Sequence, residues 1–216
     1  GEADSFISIS DACGYQCYPI APHMNSDWSS INPLTQSYQR TRDYVLSGNA
    51  AQKPIIMHLQ TFNWGSQSSN PRYPNVLELR NMLYGGLAAG VKGILSYGFS
   101  FDLKDNQAPL WNEFKSLRTD VGIIDSVLMN GKLTRINTGD QELVCYYWIY
   151  NDLYYMVVVN TSYTTSKNVS IALPASFTGI KTSLFSRMNN TLTVNGTNLT
   201  GSIAAQEVQV FSIAKF

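Results

Sequence analysis

Apolar positions along this chain follow one spacing before Gly131 and another after it. In the first stretch, short apolar runs alternate with longer amphipathic segments. Runs at Cys13–Tyr18, Pro54–Thr61 and Gly93–Phe99 predict strands, and Thr35–Leu46 and Val76–Ala89 predict helices. Asn75, with Glu78 three residues on, forms a capping box for the second helix, and Gly90 supplies its stop. A last helix opens at Pro109. Its Leu110, Phe114, Leu117, Val121, Ile124 and Leu128 recur in steps of four and three, which makes one apolar stripe. Beyond Gly131 the period becomes two. Leu143–Tyr150 and Tyr154–Asn160 read as a hairpin turning at Asn151 and Asp152. Val169–Leu173, Lys181–Phe185, Thr191–Val194 and Val208–Ile213 read as further strands.

Strand–helix alternation implies parallel strands joined by right-handed crossovers. The period-two stretch implies an antiparallel β-sandwich. The expected fold class is therefore α/β plus all-β, with an α/β unit over residues 1–131 and a sandwich over 132–216. A single fused α+β domain is the alternative. In the first unit, loops that follow strands are long, polar and aromatic, and loops that precede them are short. In α/β folds the carboxyl ends of the strands carry the site. The second strand shows this directly. KPIIMHLQTFNW begins as a buried run and ends in Gln60, Phe62, Asn63 and Trp64.

Composition narrows the ligand. The chain has 216 residues, 44% of them hydrophobic and only 14% charged, against a usual quarter. Lys plus Arg and Asp plus Glu balance at 15 each, so nothing offers the basic face a nucleic acid would need. No apolar run approaches the roughly 18 residues of a membrane span. A surface built from Ser, Thr, Asn and Gln, with 13 Tyr and 4 Trp, suits neutral polar ligands such as sugars. It predicts a secreted, periplasmic or cell-surface protein. Cys13 and Cys17 lie about 13 Å apart if both sit on one strand, too far to join. With Cys145 they are expected as small buried hydrophobes. No metal-ligand spacing, phosphate-binding loop or Ser–His–Asp order occurs, so no metal and no cofactor is expected. Asn160, Asn168, Asn189, Asn195 and Asn198 begin glycosylation triplets.

Three segments resemble the C-terminal half of secreted (β/α)8-barrel glycoside hydrolases. They are DACGYQCYPI, similar to a barrel strand ending in Tyr-Pro; KPIIMHLQTFNW with RYPNVLELRNMLYGGLAAGVKGILSYGF; and LWNEFKSLRTDVGIIDSVLMNG, similar to a last barrel helix leading into a sandwich. The resemblance implies a partial TIM-type barrel, the C-terminal part of a longer enzyme acting on a neutral poly- or oligosaccharide. A complete barrel takes about 250 residues. The missing part would come from the N-terminal part of the same protein or from a second copy.

Gln16, Tyr18, His58, Gln60, Trp64 and Tyr97 are the expected substrate-binding residues, at or near strand ends. Ile56, His58, Gln60 and Phe62 would form one inward file. Trp28 and Trp111 are further aromatics near these ends, the latter expected to pack. Glycoside hydrolysis usually needs two carboxyl groups. Gln16 and Gln60 stand where the resemblance leads one to look for acids, and an amide is neither nucleophile nor proton donor. Asp102 and Asp27 are the remaining catalytic candidates. Glu78 is expected as a cap, Glu113 as outward-facing, and Asp11 as structural at the far end of its strand. The chain alone is thus expected to be a poor glycosidase. The alternative function is a non-catalytic carbohydrate-binding or surface protein with a degenerate barrel.

Overall fold

In the computed structural model, which describes residues 10–28, 31–50, 52–98, 107–174 and 181–214, the first strands pair in parallel. β1 (Cys13–Cys17), β2 (Ile55–Gln60) and β3 (Gly93–Tyr97) lie in the order β1–β2–β3. Paired residues of parallel neighbours point to the same side. One face carries Cys13 and Ile55, then Tyr15, Met57 and Ile94, then Cys17, Leu59 and Ser96. This face is covered by helices: Ile55, Met57 and Leu59 are all but fully buried. The opposite face carries Gly14, Ile56 and Gly93, then Gln16, His58 and Leu95, then Gln60 and Tyr97. Here Leu95 and Tyr97 are 51% and 49% exposed.

Helix α1 (Pro33–Ala50) packs on β1 and β2, and α2 (Val76–Ala89) packs on β2 and α1. α1 is longer than Thr35–Leu46 at both ends. Pro33 suits its first position, where no backbone N–H is needed. α2 has the expected bounds. Asn75 Oδ1 accepts the Glu78 N–H (2.9 Å), and Glu78 Oε2 accepts the Asn75 N–H (2.7 Å). Gly90 ends it at φ 103°, a left-handed conformation that favours glycine. Glu78 is fully buried and also takes Arg72 Nη1 (2.8 Å) and Nη2 (2.6 Å).

The last helix is two. α3 (Ala108–Ile123) and α4 (Asp125–Asn130) are separated by Ile124 at φ −104°, ψ 11°. The periodic stripe is nonetheless covered, with Leu110, Leu117 and Ile124 buried and Phe114, Val121 and Leu128 half-buried. Spacing shows the stripe but not the break, because α3 and α4 keep one apolar face. Glu113 corrects the outward reading. Arg80 Nε on α2 donates to its Oε1 at 3.0 Å, and the two side chains are 13% and 10% exposed.

The chain divides into two compact units, Gly1–Leu117 and Arg118–Phe216. The division falls inside α3 rather than at Gly131. The later part of the helix belongs with the second unit, where Arg187 pairs with Asp120 and α4 packs on β5. In that unit β4 (Lys132–Ile136), β5 (Leu143–Tyr150), β6 (Leu153–Asn160), β8 (Lys181–Ser183) and β11 (Val208–Ala214) form an antiparallel sheet ordered β4–β5–β6–β11–β8. β7 (Lys167–Ala172), β10 (Asn198–Ile203) and β9 (Thr193–Asn195) form a second one, ordered β7–β10–β9. The two share one core that includes Cys145, Met156, Val158, Ile171, Leu199 and Phe211. The β5–β6 turn is the expected one, with Asn151 and Asp152 both at positive φ.

All three cysteines are free and buried. Burial pushes the Cys17 and Cys145 thiols up to about 12, so neither is a thiolate at neutral pH. The Asn160 amide is fully buried. Its nitrogen donates to Thr165, Ile203 and Ala204 carbonyl oxygens, so the folded chain cannot carry a glycan there. Among the described residues no helix is long and apolar enough to cross a membrane.

Candidate functional site

The carboxyl ends of β1, β2 and β3 bring together an aromatic cluster. Tyr18 follows β1, Phe62 and Trp64 follow β2, and Tyr97 closes β3. Tyr18 meets Phe62 edge-on, with ring centroids 5.0 Å apart and planes at 85°. Phe62 is 5.3 Å from Tyr97 and 4.9 Å from Trp64. Tyr18 is 5.7 Å from Tyr97, and His23 is 5.6 Å from Trp64. These are the separations and inclinations aromatic pairs prefer. Tyr97 is the half-exposed ring of the set, and Tyr18 and Phe62 are each 7% exposed.

Two polar tips in this cluster are left over. Tyr18 Oη and Trp64 Nε1 have no accessible surface and, among the described residues, no hydrogen-bond partner. Buried donors without partners are uncommon and costly. Burial, followed by the neighbouring Tyr97, pushes the Tyr18 hydroxyl up to about 12, so it remains a donor at neutral pH.

Backbone and side-chain bonds fasten the loops that carry these rings. The Ile20 N–H donates to Gln60 Oε1 (2.8 Å), and Gln60 Nε2 donates to the Ile20 carbonyl oxygen (2.8 Å). Gln60 is fully buried. Both ends of its amide are thus occupied by the protein's own backbone, not turned to a ligand as the sequence suggested. Thr61 Oγ1 shares a hydrogen bond with Ser96 Oγ (2.8 Å) and donates to the Tyr97 carbonyl oxygen. The Met24 N–H donates to the Gln67 carbonyl oxygen (2.8 Å), and His23 pairs with Ser68 across an isolated bridge.

The other expected residues scatter. Gln16 and His58 are neighbours in register, on the face opposite the helices. His58 lies over Gly14, where a Cβ would come within 3.0 Å of its Nε2. Asp27 is apart from the cluster as an ion pair. Arg40 Nη1 donates to its Oδ1 at 2.8 Å, and its side chain is 82% exposed. That bond holds its carboxyl below the usual carboxylate range. A solvated carboxylate so held is poorly suited to donate a proton. Arg40 also stacks 4.5 Å from the Trp28 ring centroid. Trp111 stacks on Phe114 at 6.2 Å. Asp102 lies outside the described residues. Among those described, no three His, Cys, Asp or Glu side chains gather as a metal could require. Sequence reasoning missed His23 and Thr61. Their only signal was placement in the loops after β1 and β2.

No protein-family model matches this sequence, and no curated protein matches it either. Solved structures do. The chain is similar to the GH51 arabinofuranosidase from Xanthomonas axonopodis pv. citri (TM-score 0.57, 11% identity, 99% of this chain and 56% of that one). It is similar to an alpha-amylase from Geobacillus thermoleovorans complexed with acarbose (TM-score 0.55, 12% identity, 85% and 43%). An Anoxybacillus alpha-amylase follows (TM-score 0.52, 11% identity, 100% and 45%). The chain spans about half the length of these structures, and at such identities the likeness is one of fold alone.

Proposed function

We propose that this chain is the C-terminal part of a glycoside hydrolase acting on a neutral poly- or oligosaccharide, to which it contributes substrate subsites. In this reading β1–β3 with α1–α3 are part of a TIM-type barrel, and the two antiparallel sheets form a β-sandwich over residues 132–216. The observation that carries it is the aromatic cluster at the carboxyl ends of three parallel strands, with Tyr18 Oη and Trp64 Nε1 unpartnered inside it. Aromatic faces offer sugar rings apolar area, and the orphan donors match sugar hydroxyl oxygens once a ligand displaces the rings that cover them. The fold shared with parts of an arabinofuranosidase and two alpha-amylases supports the same class.

In this reading a complete acid pair lies outside this chain: position 60 holds an amide bonded to Ile20, and Asp27 is paired with Arg40, while Asp102 lies outside the described residues. The half-exposed Leu95 and Tyr97 on one face of an all-parallel sheet support completion of the barrel by the N-terminal part of the same protein or by a second copy. Secretion to a periplasmic or cell-surface location fits the low-charge, hydroxyl-rich composition. The second reading, a non-catalytic carbohydrate-binding protein, is favoured by the same missing acids.

Titration with malto- and arabino-oligosaccharides tests the binding claim. Tyr18→Phe removes one orphan donor and leaves the fold intact, so its affinity should fall several-fold with no loss of thermal stability. Equal affinity in Tyr18→Phe, Trp64→Ala and the unaltered chain would reject the cluster as a subsite. Hydrolysis by the chain alone at ordinary enzyme rates would reject the claim that its acids lie elsewhere.

A further inference from the structure

Gln60 has a particular position in this site. Its amide bridges both backbone polar groups of one residue, Ile20, from the end of a strand 40 positions away in sequence. The orientation of the amide is unambiguous, because one Ile20 group only donates and the other only accepts. The residue after the clasp, Ala21, stands at φ 43°, in the left-handed region that non-glycine residues avoid. Such a conformation persists where the surroundings over-determine it. On the near side of the clasp, Tyr18 is two residues from Ile20 and meets edge-on Phe62, itself two residues from Gln60.

We infer that Gln60 is a positioning residue, one that fixes the β1–α1 loop so that Tyr18 is held ready for a ligand. This rests on the carbohydrate reading of the cluster. A neutral amide is the side chain this clasp needs at neutral pH, since it donates and accepts at once. A carboxylate at position 60 accepts only, and it would face the Ile20 carbonyl oxygen lone pair to lone pair. A protonated carboxyl has one donor and one acceptor and restores the clasp.

The test is therefore Gln60→Glu against Gln60→Leu and the unaltered chain, at about pH 5 and about pH 10, above the range of about 8–9 to which full burial can raise a carboxyl. The probes are maltohexaose and arabinohexaose by titration calorimetry, with the near-UV circular dichroism of the rings as an independent readout. A carboxyl buried this deeply stays protonated above the ordinary carboxylate range. Gln60→Glu should therefore match the unaltered chain within about threefold in affinity at the lower pH. At the higher pH it should bind about tenfold more weakly, with loss of the ring signal, as expected where a buried polar group loses its partner. Gln60→Leu should be weak, with an altered ring signal, at both. A purely structural role would shift melting with pH and leave oligosaccharide affinity and the ring signal of the folded chain unchanged. Gln60→Glu that tracks the unaltered chain at both pH values, or that fails at both, overturns the inference. If the unaltered chain binds neither sugar, the carbohydrate reading falls by itself, and the ring signal alone decides the clasp.

Discussion

Replacing Glu78 by glutamine removes one charge and keeps the shape of the side chain. Glu78 caps α2 through the Asn75 N–H and holds Arg72 through two bonds of 2.8 and 2.6 Å. The pair is asymmetric, with the Glu78 side chain 0% and the Arg72 side chain 38% exposed. A fully exposed pair contributes about 0–1 kcal/mol, and breaking a buried one costs about 3–5 kcal/mol. Solvent on the Arg72 side screens part of the attraction, so the loss should fall between these, at about 2 kcal/mol. Glutamine still accepts the Asn75 N–H, which keeps the cap out of the sum. With a urea dependence of about 2 kcal/mol per molar, the midpoint drops by about 1 M. The matching change, Arg72→Met, keeps the apolar stem. A double-mutant cycle over the two positions should return a coupling of about 2 kcal/mol. A coupling under about 0.5 kcal/mol would refute the reasoning and show that the pair behaves as a surface contact. The same pair ties down Arg72 in the loop that begins with Trp64, so oligosaccharide affinity should fall along with stability.

Lys181 is pushed down to about 8 by burial, with its ammonium 4.5 Å from the Phe211 ring centroid. The unfolded chain holds that proton up to its ordinary value of 10.5 and the folded chain only to about 8. Stability should therefore rise with pH across this window relative to Lys181→Met, and parallel urea midpoints for the two proteins would contradict it. Asn160→Ala strands three backbone carbonyls and the Ser162 N–H, and should cost about 3 kcal/mol in urea unfolding. Ala21→Gly relieves a left-handed alanine of roughly 1–2 kcal/mol, less the entropy glycine adds to the unfolded chain. It should raise the melting temperature, and a lower one would show that the loop is not strained.

Features set by nearby residues were legible in the sequence. α2 was readable to the residue because Asn75, Glu78 and Gly90 terminate it locally. The β5–β6 hairpin was readable because two residues at positive φ must be of turn type. The sequence pattern does not mark β4 and β10 as strands. KLTRI has charged residues among its few apolar ones, and NLTGSI resembles a turn in composition, although Leu199 and Ile203 are fully buried by the shared core. At the site, the aromatic residues were legible by their placement after strands. The role of Gln60 was not. A polar residue at a strand end looks ligand-facing until its partner is known, and Ile20 is 40 residues away.

That separation also orders the folding of the first unit. The Asn75–Glu78 bonds span three residues and can close within one helical turn. The Gln60–Ile20 bonds need the whole crossover through α1 to be in place first, because loop-closure entropy precedes any reward from a distant contact. A substitution at Gln60 should then leave the folding rate nearly unchanged and act on the unfolding rate, the kinetic mark of a contact made after the transition state. The amide thus reports that the β1–α1–β2 unit has been completed.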